Sequence, residues 1–297
     1  MKQAIAPLAL VLLTAVTAFA AGGREPAPAD GRVSVIASTA PQAYFVQRIG
    51  GDRVDVGVII GPGQDAHTYD PSPREIERLG SAEILFTTGL EYEARIVTTL
   101  QRAGTRVEIV DLTDGIELRE LEAHWHDPTA AHSHDNEPGD THIWLGPAEV
   151  RVQAATIRDA LARARPALAD AFSEGYERFI AEVDAIDAEL AELLADHRGS
   201  TILVYHPAFG YFTDHYGITQ LAVEAGGREP SPRQLQVTIE KALAAGVQTV
   251  FTQPEYDDIA SRAVARAIGA RTVPITDLDD DWPRMMRQIG RAIANAD

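Results

Sequence analysis

The 297-residue sequence contains no cysteine, so neither a disulfide nor a lipid-modified cysteine can operate. It is short of positive charge. Lys and Arg number 26 against 44 Asp and Glu, a formal net charge of -18. Such a surface repels nucleic acid and anionic lipid and tolerates a cationic ligand. Beyond the first twenty residues no apolar run is long enough to span a bilayer. The Gly-x-Ser-x-Gly elbow, the His-Glu-x-x-His pair and the P-loop lysine are all missing. Gly61-Pro62-Gly63-Gln64-Asp65-Ala66 fits the dinucleotide fingerprint formally. Pro71 and Pro73 follow it closely, so no helix is expected to open there to receive a pyrophosphate, and the match is set aside.

What is present begins with a targeting signal. Lys2 precedes an uncharged apolar run over 4–20, which ends in the small-x-small pattern Ala18-Phe19-Ala20. These are the parts of a secretory signal peptide over 1–20, followed by a Gly-, Pro- and Ala-rich flexible leader over 21–31. The expected product is a freely soluble periplasmic protein. Lys2 is the only charge of the signal peptide, so the mature chain is more acidic still.

Short β-branched runs at 33–38, 54–60, 83–88 and 107–112 read as strands, with helical stretches such as 41–49 and 92–103 between them. A second group of strands follows at 201–205, 219–223, 249–252 and 272–275, with a helix over 259–268. Alternating strands and helices imply parallel sheets covered on both faces. The expected fold class is therefore α/β, with an N-terminal lobe over 32–165 and a C-terminal lobe over 199–297. Between them, Phe172, Tyr176, Phe179, Val183, Ile186, Leu190 and Leu193 recur at three- and four-residue spacing. They predict one long linking helix within 166–198, closed near Gly199. The segment 117–140 is rich in His, Asp and Glu and poor in aliphatics, which predicts a mobile surface loop.

The placement of nine histidines carries the chemistry. His67 follows a predicted strand and the Gly61-Pro62-Gly63 turn. His142 precedes a helix expected near Pro147. His206 and Asp277 follow predicted strands of the second group. Open α/β sheets bind ligands outside the carboxyl ends of their strands, so a cleft between the lobes would gather these four groups. Three imidazoles and a carboxylate suit a divalent transition metal such as zinc, whereas calcium demands six to eight oxygens. On spacing alone, any single histidine reads more readily as a surface or satisfied core residue than as a ligand. His197 sits where a cation meets a helix C-terminus, and His215 packs near Tyr216. His124, His126, His132 and His134 lie among carboxylates in the polar segment and form an auxiliary metal-binding cue. Asp279, Asp280 and Asp281 precede Trp282-Pro283 and are expected to cap the last helix.

A set of ordered motifs carries a resemblance. The run from Gly61 through His67-Thr68-Tyr69-Asp70-Pro71-Ser72-Pro73, the run Asp140-Thr141-His142-Ile143-Trp144-Leu145, and the run Tyr205-His206-Pro207-Ala208-Phe209-Gly210 come first. Glu229-Pro230-Ser231-Pro232 and Phe251-Thr252-Gln253-Pro254 add to them. Together they resemble the zinc and manganese substrate-binding proteins of ABC importers, of the zinc-uptake (ZnuA-like) type. The resemblance implies two α/β lobes joined by a long helix, with metal held between them by His67, His142, His206 and Asp277. It also implies delivery of Zn2+ to a membrane permease with its ATPase, by a monomer that is not an enzyme. Histidine at position 206 is the zinc-type choice; manganese-type members tend to carry glutamate there. The chain departs from the pattern in Thr141, in Gly146-Pro147 and in Asp277-Leu278-Asp279. The rival readings are a Mn2+ or iron(II) carrier of the same family, a zinc hydrolase, and a surface metal sink or adhesin.

Overall fold

The computed structural model describes residues 31–64, 69–120, 139–224, 230–256 and 259–296. The expected signal peptide, His67 and the four histidines at 124, 126, 132 and 134 lie outside them. Strands β1 (Val33–Thr39), β2 (Val54–Ile60), β3 (Ile84–Thr87) and β4 (Glu108–Asp111) form a parallel sheet ordered β2-β1-β3-β4. Strands β5 (Thr201–Val204), β6 (Thr219–Ala222), β7 (Thr249–Thr252) and β8 (Arg271–Pro274) repeat that order as β6-β5-β7-β8. In each sheet the chain winds outward in both directions from the first strand. The crevice at the carboxyl ends of β5 and β7 is therefore a switch point of the kind that receives ligands. Helices α1 (Ala40–Gly50), α2 (Pro73–Ser81), α3 (Glu91–Arg102) and α4 (Pro147–Ala164) belong with the first sheet. Helices α6 (Gly210–Tyr216), α7 (Pro232–Ala244), α8 (Ile259–Ile268) and α9 (Trp282–Ala294) follow α5 in sequence.

Helix α5 (Ala169–Leu193) joins the two lobes with 25 residues, about 38 Å at 1.5 Å per residue. Phe172, Gly175, Phe179, Val183, Ile186 and Leu190 form its buried stripe. It packs on α1 and α4 of the first lobe and on α9 after the second sheet. Gly175 permits the close approach to α1, because a Cβ there would collide with the carbonyl of Ile49. Ion pairs line its flanks: Glu182 with Arg48, Asp184 and Asp187 with Arg151, and Glu189 with Arg287. One apolar core runs from the first sheet through α5 to Trp282 and Phe209, and a smaller one fills the second sheet around Leu203, Val223 and Val250. Among the described residues, no helix is long and apolar enough to cross a membrane.

Three expectations are corrected. A helix does open after the Gly61 turn: α2 begins at Pro73, with Ser72 accepting from the backbone N of Glu75 and Glu75 returning the bond to Ser72 N. Proline is favoured at a first helical position, because its missing N–H has no partner to lose there. Gly199 does not cap the long helix. Leu194 ends α5, a short 3-10 turn Ala195–His197 follows, and Gly199 at φ 80 turns the chain towards β5. The polar segment 117–140 is anchored at its ends. Leu118 packs against the core, and Asp140 is fully buried with its backbone N bonded to Arg119 O at 2.8 Å.

Candidate metal centre

Parallel register sets most of the site. Val204 of β5 pairs with Ala222 of β6 and with Phe251 of β7. Two residues further along each strand's course stand His206, Glu224 and Gln253. The ladder continues past the strand ends, with Glu224 N donating to Tyr205 O at 2.9 Å and Tyr205 N to Phe251 O at 3.1 Å. Gln253 Oε1 accepts the backbone N–H of His206 at 2.8 Å, and Gln253 Nε2 donates to Asp277 Oδ1 at 3.0 Å. Asp277 arrives three residues after β8 and is 2 % exposed.

His142 comes from the first lobe, on the turn before α4. A 3-10 turn follows it (Ile143–Leu145), and the side chain of Gln153 in α4 donates to Ile143 O at 3.0 Å. Asp140 Oδ1 accepts both the backbone N–H of His142, at 3.0 Å, and its ring Nδ1, at 2.7 Å. On the opposite wall His206 Nδ1 lies 2.9 Å from Glu224 Oε2. The two imidazoles meet with Nε2 atoms 3.1 Å apart. Both are buried, His142 at 4 % and His206 at 2 % exposure. Trp144 lies edge-on to His142, and Tyr256 stacks beside His206 with ring centroids 4.9 Å apart.

A carboxylate only accepts hydrogen bonds, so each Nδ1 carries its hydrogen, and in the neutral rings each Nε2 presents a lone pair to the other. Two lone pairs at this distance inside a protein repel unless a proton or a cation sits between them. The electrostatics agree. Burial works against the imidazolium of His142, but the charge of Asp140, with Asp277 and Glu224 beyond it, outweighs burial and lifts its pKa above the ordinary value. Asp140 is lowered: burial opposes its charge, and the partners His142 and Arg119 overcome that opposition. Burial, then the charge of Asp277, raises Glu255 nearby.

Of the four expected ligands, the structure brings His142 and His206 into contact and links Asp277 to His206 through Gln253; His67 lies outside the described residues. Among the described residues, no group of three or more His, Asp or Glu side chains is gathered as a complete metal cage. Asp140 and Glu224, the partners of the imidazoles, and Gln253, which holds the backbone of His206, were not foreseen. Asp140 stood among the loop acids, although Asp-x-His is a spacing at which a carboxylate can reach back to a ring. The other histidines are accounted for differently. His215 pairs with Asp187 at 2.8 Å and packs on Tyr216, and His197 lies in the 3-10 turn after α5. Asp281 caps α9 as expected, accepting from Arg284 N at 3.0 Å, and Asp279 and Asp280 pair with the Arg284 guanidinium. A separate cavity of about 680 Å³ lies beside α4, lined by Glu117, Arg119, Glu120 and Glu149 among others, and includes none of the expected ligands.

Residues 35–296 match the family model described as zinc-uptake complex component A, periplasmic. A solved structure titled as that of ZnuA superposes with a TM-score of 0.81 at 31% identity, covering 89% of this chain and 99% of the other. A ZnuA deletion mutant with zinc bound gives 0.80 at 30% identity, over 89% and 98%. The zinc-binding lipoprotein AdcA of Streptococcus pneumoniae is 22% identical over 281 residues, 92% of this chain and 55% of that protein. The chain thus spans about half the length of the streptococcal relatives it matches.

Proposed function

The chain belongs to the family of zinc-uptake complex component A, and from that premise we propose that it binds Zn2+ in the periplasm and delivers it to the permease of an ABC importer. The lobes over 32–165 and 199–297 flank the site, and the segment over 166–198 joins them. The ligand set is His67, His142, His206 and Asp277. The signal over 1–20 sends the protein out, and it works as a monomer with the permease and its ATPase as partners.

The observation that carries this reading is the imidazole pair. Each Nδ1 is held by a carboxylate, and the Nε2 atoms face one another at 3.1 Å. Zinc–nitrogen bonds of about 2.0–2.1 Å at tetrahedral angles put two ligand nitrogens about 3.3–3.4 Å apart. Zinc therefore fits between these atoms with an adjustment of a few tenths of an ångström. Carboxylates behind metal-bound imidazoles fix the tautomer and strengthen the ligand. Imidazole donors favour zinc over manganese or iron(II) in the usual affinity order. Four protein ligands leave no position for the bound water that a hydrolase needs, so the site holds and releases its cargo rather than reacting on it.

The test is competitive titration with Zn2+ and Mn2+ on the wild type and on His142→Ala and His206→Ala. Tight zinc binding lost in both variants is expected. Undiminished zinc affinity in either variant overturns the ligand assignment. Preference for Mn2+ supports the alternative cargo.

A further inference from the structure

We propose that Arg119 is a positioning residue of this site: it holds the Asp140 carboxylate against the His142 ring and ties that assembly to the second lobe. The inference rests on the metal-site reading above.

Asp140 is fully buried, and its two oxygens are divided. Oδ1 serves His142, and Oδ2 accepts from Arg119 Nη1 at 3.0 Å. A buried carboxylate without a cation behind it would be a desolvated, uncompensated charge, and it would not keep one orientation. The guanidinium has a second engagement. Its Nε donates to Asp214 Oδ2 at 3.0 Å, on α6 of the second lobe. Tyr211 of the same helix closes the arrangement. Its hydroxyl accepts from Arg119 N at 3.2 Å and donates to Asp140 O at 2.7 Å, and the guanidinium lies 5.9 Å from its ring centre. Gly210 supplies the room, since a Cβ there would collide with the guanidinium. The Arg119 side chain is 15% exposed in this seat. A planar fork can serve two carboxylates at once in fixed directions, which an ammonium cannot do. The chain of contacts thus runs from α6 through Arg119 and Asp140 to His142, whose Nε2 faces His206.

The test uses the purified full-length protein, competitive zinc titration, and the visible spectrum of bound Co2+, which reports ligand geometry. Arg119→Met is expected to lose about 10–100-fold in zinc affinity, the usual cost of removing a ligand's outer partner, and to shift the Co2+ bands. Arg119→Lys is expected to recover part of both. Gly210→Ala keeps every charge but displaces the guanidinium. It is expected to fall between wild type and Arg119→Met, and it decides the matter if Arg119→Met does not fold. Arg163→Met removes an exposed arginine paired with Glu108 and is expected to match wild type. Affinity within threefold of wild type in Arg119→Met overturns the inference. So does a loss that Arg119→Lys shares in full with the Co2+ spectrum unchanged, because that marks a role in folding alone. His142→Ala separates the two levels. If it leaves zinc affinity intact, the metal-site reading fails and this inference falls with it; if it abolishes binding while Arg119→Met does not, only the role of Arg119 is lost.

Discussion

The indole Nε1 of Trp282 donates to the backbone oxygen of Trp144 at 2.7 Å. Trp144 in turn donates its own Nε1 to Asp277 O at 2.7 Å. Both indoles are buried, and Trp282 packs against Phe45 and Phe179. The turn that carries His142 and the turn that carries Asp277 are therefore bonded through one apolar core, although they come from different lobes. Trp282→Phe keeps an aromatic ring but leaves the Trp144 carbonyl unpaired in the interior. A cost of about 1–3 kcal/mol is expected from the lost partner alone. Thermal unfolding of the metal-free variant should show a lower midpoint, and zinc titration a weaker site. An unchanged midpoint would mean that the bond contributes nothing.

In the proposed ligand set, the imidazole pair would make binding a competition between zinc and a proton. His142 has a pKa above its ordinary value, because the Asp140 carboxylate outweighs burial. An unperturbed histidine titrates near 6.5, so the competition at His142 begins at higher pH than for a free imidazole. Zinc affinity is expected to fall as pH drops from about 7 to 5. The metal-free protein responds in the opposite sense. Its raised group stabilises the fold below the unfolded-state pKa, and that stability is lost as pH rises through the folded-state pKa. Titration and thermal unfolding across pH 5 to 8 measure both. A flat zinc affinity would contradict the assignment of imidazole ligands.

The segment between Glu120 and Gly139 tests a different point. His124, His126, His132 and His134 are expected to form a weaker, auxiliary zinc site. Ordering a polar chain around a metal costs conformational entropy, which lowers its affinity. Changing all four to alanine should remove a second zinc equivalent and leave the tight one, as read by calorimetric titration. Loss of the tight equivalent would place a principal ligand in the segment.

The strands of both sheets were legible in the sequence as short apolar runs between helical stretches, whether buried like Ile84–Thr87 or largely exposed like Arg271–Pro274, and the described strand ends agree with the reading to within a residue or so. The stripe from Phe172 to Leu190 marked α5 for the same reason: its period can satisfy only a helix. Helix α2 is hidden in the sequence because Pro73 reads as a breaker, while the Ser72–Glu75 capping box makes it a start signal. In the site, His142 and His206 were visible through their motifs. Glu224 and Gln253 were not, because they reach His206 only through the register of three strands, and a single sequence does not print register. Asp140 was hidden by its neighbours. Composition placed it with the loop acids, and only its burial and its bonds to His142 and Arg119 separate it from them.

Asp277 is the proposed ligand whose assignment depends most on choosing among neighbours, since Asp279, Asp280 and Asp281 follow it after Leu278. Their surroundings differ sharply. Asp280 has a side chain 74% exposed and paired with Arg284, where solvent screens its charge. Asp281 is occupied in capping α9, and Asp279 accepts from Arg284 and from Asp281 N. Asp277 is buried, and its charge acts on His142. Gln253 engages Oδ1, so Oδ2 is the oxygen that Asp277 would offer to a metal in the proposed ligand set. Asp277→Ala is therefore expected to weaken zinc binding by at least the ~10-fold that marks the low end for the loss of an outer partner. Asp280→Ala is expected to leave it near wild type. The three histidines of the proposed set can still hold zinc with water as a fourth ligand, so the Asp277 variant should bind weakly rather than not at all. Parallel competition titrations compare the two. Equal affinities, or a greater loss in Asp280→Ala, would remove Asp277 from the ligand set.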